Sequence, residues 1–148
     1  MPALTCTVED YKGATSTVRV AVAVANATPA KAKDLADFLA THSDARVVGY
    51  GVALDYTGDS TDTGKYDRVL QALRFSYEDN DGKARRFSIP APRDEDVNDD
   101  QEPTSGLAED VKDLLVSLGA GTAFVYNGGG LDSRMPPKNA RAKAMTGV

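Results

Sequence analysis

The order in which two apolar periodicities alternate along the chain constrains its fold most strongly. Between residues 18 and 24 every second position is valine, the period-two pattern of a strand. Residues 29–41 then carry an apolar stripe at helical spacing, and Thr28 and Pro29 suit a helix cap and first position. The stripe consists of Ala32, Leu35, Ala36 and Leu39. A strand followed directly by a helix is therefore predicted.

Three further strands are predicted between residues 48 and 89. Residues 48–56 place larger apolar side chains on one face and small ones on the other. The larger ones are Val48, Tyr50, Val52, Leu54 and Tyr56. Residues 67–77 form the next strand, and the Asp81-Gly82 pair favours a hairpin turn into residues 83–89. Pro90 ends that strand because proline has no amide to donate to a ladder.

The clearest helical pattern begins at Ser105. Its apolar stripe consists of Leu107, Val111, Leu114, Leu115 and Leu118. Gly119 and Gly121 end this helix, and residues 123–126 form a short last strand. The order β-α-β-β-β-α-β predicts an α+β fold with one mainly antiparallel sheet and both helices packed on one face. The first strand, helix and second strand fit a right-handed parallel crossover.

The pattern divides the chain into three parts. Residues 1–16 are predicted to form an extended N-terminal arm, and residues 17–127 a single α+β domain. Residues 128–148 are predicted to form a basic C-terminal arm, hinged at the glycine triplet 128–130. A chain of 148 residues is long enough for one domain with a substantial core. No internal repeat of useful length is apparent.

Composition argues against several classes of protein. A formal net charge of -5 argues against a global nucleic-acid-binding surface. No apolar run approaches the length of a transmembrane helix, and no secretory signal is visible, so we expect no membrane partner. The single cysteine, Cys6, excludes an internal disulfide and a cysteine-based zinc site, and fits synthesis in a reducing cytoplasm.

Two loops resemble binding motifs but lack essential residues. Residues 58–65 read GDSTDTGK, with one residue too many between the glycines, and Tyr66 follows Lys65 where a phosphate-binding loop needs Ser or Thr. Residues 94–105 have oxygen-bearing side chains at the first positions of a calcium loop. Asp99 replaces its turn glycine, however, and Ser105 its closing glutamate. We therefore predict no cofactor and no specific metal site.

No catalytic constellation is apparent, and we predict that the protein is not an enzyme. His42 is the only histidine, and it lies at the end of the first predicted helix, where a cation complements the dipole. Because no recognisable nucleophile accompanies it, we interpret it as a capping or surface residue. The many carboxylates leave an alternative open, a small enzyme or ligand-binding domain that uses an unrecognised acid cluster.

The segment that follows the glycine triplet has no apolar periodicity with which to bury itself. After Asp132 it carries four basic residues and no acid, namely Arg134, Lys138, Arg141 and Lys143. It could be a disordered extension, a nucleic-acid contact or an arm laid across a neighbouring subunit. We favour the arm, because Met135-Pro136-Pro137 pre-orders an extended backbone and no aromatic residue offers a base a stacking surface.

Three segments in the C-terminal half of the chain resemble small structural proteins of tailed bacteriophages. Residues 73–97 contain an apolar strand, an Asp-Gly-Lys hairpin and a Ser-Ile-Pro exit. Residues 107–118 form the amphipathic helix, and residues 124–134 a glycine-rich end with a basic residue. The resemblance implies a non-enzymatic virion component made in the host cytoplasm, such as a capsid cement or decoration protein. It implies partners among copies of the chain itself and a major capsid or other virion protein.

On this interpretation the contact residues lie in the C-terminal arm, at its root and in an acidic loop at residues 93–104. They are Tyr126, Leu131, Arg134, Met135, Pro136, Lys138 and Arg141, with Asp94, Asp96, Asp99 and Asp100 as counter-charges. A tail or head-tail connector subunit is the alternative within the same class. A regulatory module that binds nucleic acid through its tail is a further alternative.

Overall fold

A computed structural model describes residues 1–57, 72–100 and 102–126, with residues 122–126 as backbone. It contains six strands and two α-helices, and the α+β class predicted from the sequence is confirmed. In chain order these are β1 Ala3–Glu9, β2 Thr15–Ala21, α1 Pro29–His42, β3 Arg46–Ala53, β4 Ala72–Asp79, β5 Ala84–Pro90, α2 Ser105–Ser117 and β6 Gly121–Tyr126.

The strands form two antiparallel sheets of three, where the sequence predicted one sheet. The strand orders are β2-β1-β3 and β5-β4-β6. In each sheet the strand that comes first in the chain, β1 or β4, is central. Its hairpin partner lies on one side, and the strand that follows the helix lies on the other. The sheets contact each other through β2 and β5, and the buried faces of both contribute to one core.

The N-terminal residues form a central strand where the sequence predicted an extended arm. Leu4, Cys6 and Val8 of β1 are fully buried. These three residues alternate with polar ones, so the segment carries its own period-two pattern. β2 also begins and ends earlier than predicted, and Val24 lies beyond it, 79% exposed. The first sheet is therefore built around residues that were assigned to the arm.

β2 and β3 run parallel to each other because each is antiparallel to β1. The predicted crossover through α1 therefore occurs, but β1 lies between its two strands. The predicted hairpin turn at Asp81-Gly82 is confirmed, with Gly82 at φ 80°. Such a positive φ is accessible to glycine at little cost.

Both helices begin at a threonine whose side chain caps the first turn. Thr28 Oγ1 accepts from the Lys31 amide at 3.3 Å, and Thr104 Oγ1 accepts from the Leu107 amide at 3.2 Å. The apolar stripes predicted for both helices are buried. At one end of the helix pair, Lys31 Nζ of α1 donates to the carbonyl of Ser117 in α2. The helices are therefore antiparallel, since Lys31 lies in the first turn of α1 and Ser117 ends α2.

Candidate functional site

The structure describes five of the predicted contact residues. These are Asp94, Asp96, Asp99 and Asp100 in the acidic loop, and the backbone of Tyr126 at the end of β6. Leu131, Arg134, Met135, Pro136, Lys138 and Arg141 lie outside the described residues, as do the glycine hinge and the loop at residues 58–65. The predicted pairing of acidic loop and basic arm stays a prediction.

The acidic loop begins with an arginine that caps the C-terminus of α1. The Arg93 guanidinium donates to the carbonyls of Ala40 at 2.9 Å and Ser43 at 3.3 Å, and its amide donates to the His42 carbonyl. The last carbonyls of a helix have no partner within the helix and carry partial negative charge. Arg93 satisfies some of them and fixes the start of the loop, the 3-10 turn Asp94–Asp96.

The remainder of the loop is closed by a single asparagine. The side chain of Asn98 accepts from the amides of Asp100 and Glu102, each at 3.0 Å. An isolated bridge joins Val97 to Pro103 across the base of this turn. Asp99 and Asp100 are exposed at its tip. The loop is therefore a turn held by hydrogen bonds to its own backbone.

His42 connects α1 to both the acidic loop and α2. Its Nδ1 lies 2.9 Å from Asp96 Oδ2, and its Nε2 lies 3.5 Å from Asp110 Oδ2. The side chains of His42 and Asp96 are each 13% exposed, whereas that of Asp110 is 55% exposed. The Phe38 ring packs on the imidazole with centroids 4.6 Å apart. His42 ends α1 as predicted, but it is a partly buried link between elements and not a surface cap.

This contact changes the role of the predicted counter-charges. Asp96 is engaged by His42, and Asp94 and Asp99 also interact within the chain. Within the described ranges, no group of three or more His, Cys, Asp or Glu side chains is arranged to hold a metal ion. The loop is thus first a structural element that holds α1 against α2.

The thiol of Cys6 lies in the interior of the first sheet. Its side chain is fully buried, and burial raises the pKa of the Cys6 thiol to about 12. At neutral pH the sulfur is therefore protonated and a poor nucleophile.

Among the described residues, several exposed apolar side chains lie along β3. Within the described part of the chain, β3 pairs only with β1, so its other side is an open edge. Val48 is 45% exposed, Tyr50 50%, and Leu54 just after the strand 73%. An edge strand with exposed apolar side chains is a template for pairing with another chain.

A β-bulge explains why the face predicted for β3 is only partly correct. The register with β1 shifts between Thr7 and Val8, so one residue of β3 is left over. Val47 and Val52 both pack against the core although they are an odd number of residues apart. Val48, predicted on the same face as Val52, is exposed instead.

The backbone places Tyr126 in a register position that matches that of Tyr50. Tyr50 lies opposite Cys6 in β1, and Tyr126 lies opposite Phe75 in β4. Tyr50 lies on β3, which follows α1, and Tyr126 lies on β6, which follows α2. Among the described residues, each of these strands pairs only with the central strand of its sheet. The predicted contact residue Tyr126 therefore has a counterpart that the sequence did not reveal.

Comparisons with protein-family models, with curated proteins and with solved structures gave no match. No helix in residues 1–57, 72–100 and 102–126 is long and apolar enough to span a membrane.

Proposed function

We propose that this chain is a non-enzymatic structural protein of a tailed-phage virion, a capsid cement or decoration subunit. It stabilises the shell by packing against copies of itself and against the major capsid protein. The open edge of β3 is the observation that carries this proposal, and the sequence resemblance supplies the virion context. A tail or head-tail connector subunit would use the same edge and stays the alternative placement.

The edge strand supports association through two kinds of contact. Its outward amides and carbonyls can extend the sheet by pairing with another strand, which supplies affinity with little dependence on sequence. Val48, Tyr50 and Leu54 add apolar area beside that backbone. Aromatic residues such as tyrosine are enriched at the centres of protein interfaces.

The partner that binds the edge of β3 in this proposal is a second copy of the chain. The two sheets already contact each other through their outer strands β2 and β5, and β3 and β6 are the remaining outer strands of the same two sheets. A contact between copies at β3 would likewise involve an outer strand. To be stable it should bury at least about 1,000 Å² in total.

The basic arm adds a second contact in this proposal. Residues 131–148 would cross onto a neighbouring subunit, with Arg134, Lys138 and Arg141 near exposed carboxylates such as Asp100. Because such pairs are solvent-exposed, their contribution should fall as salt rises. Deleting residues 131–148 should reduce incorporation into particles while the isolated domain stays folded.

The edge is tested by placing a charge on it. Tyr50→Lys should abolish self-association in sedimentation velocity at micromolar to millimolar concentration, because pairing would bury an ammonium group. Val116→Lys is the matched control, since Val116 is 51% exposed on α2 and away from the edge. Circular dichroism checks that both variants are folded.

Particle content tests the virion role itself. Mass spectrometry of purified particles, made from the genome that encodes this chain, should find the wild-type protein in many copies and Tyr50→Lys at reduced occupancy. Absence of the wild-type protein from particles would refute the virion role. Unchanged self-association and occupancy of Tyr50→Lys would refute the edge contact alone.

A further inference from the structure

The two central strands share a sequence pattern as well as a position. Residues 3–10 read ALTCTVED and residues 72–79 read ALRFSYED. The two segments share their first two and last two residues, and both have a hydroxyl-bearing residue at the fifth position, Thr7 and Ser76. The shift from Asp10 to Asp79 is 69 positions, and it aligns β1 with β4 and β2 with β5.

The turns that follow these strands have the same hydrogen bonds. In the first, Asp10 Oδ1 accepts from the amides of Lys12 and Ala14, each at 2.9 Å. In the second, Asp79 Oδ1 accepts from the amides of Asp81 and Lys83, at 2.9 and 2.8 Å. The glycines Gly13 and Gly82 have φ 83° and 80°, and each donates its amide to the aspartate carbonyl of its turn. The pattern Asp-x-x-Gly thus occurs twice with one geometry.

The helices continue the correspondence with a different shift. The two capping residues, Thr28 and Thr104, are 76 positions apart. The same shift aligns Leu35 with Val111 and Leu39 with Leu115. All four aligned side chains are buried. The helix shift exceeds the hairpin shift by seven, so the second half has seven additional residues between its second strand and its helix. The acidic loop occupies this insertion.

The two halves of the chain, residues 3–53 and 72–126, contact each other through equivalent positions. The residue after α1 contacts the end of β5, since Ser43 Oγ donates to the Pro90 carbonyl at 2.6 Å. The residue that the helix shift aligns with Ser43 is Gly119, two positions after α2, and it lines a small cleft with Ala21 at the end of β2. Together with the antiparallel helices and the contact between the corresponding strands β2 and β5, this places an approximate two-fold axis between the halves.

We infer that residues 3–53 and 72–126 are two copies of one ββαβ unit, and that each copy is the binding partner of the other. The molecule is a dimer of repeats joined by one chain. Its interface comprises the β2–β5 seam, the helix pair and the Phe38 ring, which meets Phe87 edge-on at 6.0 Å. The inference stands apart from the virion role, since it concerns only contacts within one molecule.

Cutting the connection between the units tests this inference on the full chain. A protease recognition sequence is inserted between Gly58 and Asp59, and the folded protein is cleaved; the uncut insertion variant is the control. The nicked protein should elute from a sizing column at the mass of the intact chain. It should unfold in one transition whose midpoint rises with protein concentration, because the two partners are now separate molecules.

A substitution at the interface between the two halves provides a second test. Phe38→Ala in the nicked protein should raise the concentration at which the halves dissociate by about tenfold or more, because it removes an aromatic contact and leaves a cavity. Val116→Ala, on the exposed side of α2, should leave that concentration unchanged. Separation of the halves at 100 μM, loss of structure on cleavage or two independent transitions would each overturn the inference.

Discussion

Arg85 donates from Nε to Oδ2 of Asp79 over 3.0 Å, and the two side chains are only 10% and 7% exposed. Burial acts to raise the pKa of the Asp79 carboxyl. Hydrogen bonds from the Lys83 amide, the Arg85 guanidinium and the Asp81 amide outweigh burial and hold that pKa below its usual value. This pair fixes the second hairpin, and two predictions follow from its chemistry.

Replacing Arg85 by methionine should lower the free energy of unfolding by about 3 kcal/mol, because it leaves the Asp79 carboxylate buried without its counter-charge. Urea unfolding monitored by circular dichroism measures the change. Arg46→Met is the control, since Arg46 pairs with Glu9 at 2.8 Å but is 74% exposed. That substitution should cost less than about 1 kcal/mol. Equal losses would show that burial of the Asp79 pair has no special effect.

Acid should weaken the fold through the same carboxyl group. Because the folded state lowers the pKa of Asp79, its contribution is complete above the unfolded value of about 3.9 and is lost as pH falls through the lower folded value. Asp79→Asn lacks this titration. The difference in unfolding free energy between wild type and Asp79→Asn should therefore be constant from pH 7 to 5 and shrink towards pH 3. A difference independent of pH down to pH 3 would contradict the assignment.

The first hairpin lacks the partner that Arg85 provides in the second. Asp10 Oδ2 is buried and accepts no hydrogen bond from the described residues, and the position that corresponds to Arg85 is Ser16. Ser16 is only 6% exposed and makes an interaction of its own, so Ser16→Arg is best judged by its coupling to Asp10. Its effect on the free energy of unfolding should be about 1 kcal/mol more favourable with Asp10 present than in an Asp10→Asn background, because arginine supplies a charged donor. The same effect in both backgrounds would count against the correspondence of the two turns.

The link between the acidic loop and α1 should depend on Asp96 far more than on Asp110. Asp96→Ala should cost about 1 to 2 kcal/mol because it leaves a partly buried imidazole nitrogen without its partner. Asp110→Ala, at a 55% exposed carboxylate, should cost less than about 0.5 kcal/mol. A double-mutant cycle with His42→Ala measures the coupling directly, and a coupling near zero for Asp96 would refute the link.

The helices and one hairpin were predictable because their signals are local. Thr28 and Pro29 mark the start of α1, the leucine stripe marks α2, and the Asp81-Gly82 turn marks the hairpin. Each depends on residues a few positions apart, so side-chain spacing is sufficient. The acidic loop was placed correctly, but its contact with His42 joins positions 54 apart in sequence and leaves no local pattern.

Strand partners and the repeat were not predictable in the same way. In residues 3–9, apolar and polar side chains alternate as clearly as in the other strands, but Thr5 and Thr7 give the segment a polar composition. The burial of its apolar face follows from its central place in the sheet, which the local sequence does not show. The bulge beside Val8 moved Val48 out of its expected face. The repeat was hidden because no single shift aligns both hairpin and helix.

Each sheet is completed by consecutive segments, and this has a consequence for synthesis. The pairing partner of Ala3 that is most distant in sequence is Ala53, and β4 similarly finds both its neighbours before the end of β6. All strand partners of the leading half are therefore synthesised before β4, and they emerge from the ribosome ahead of it. The leading half can form its hydrogen-bond ladder early and present a ready template against which the trailing half condenses, so vectorial folding favours correct pairing over exchange between nascent chains.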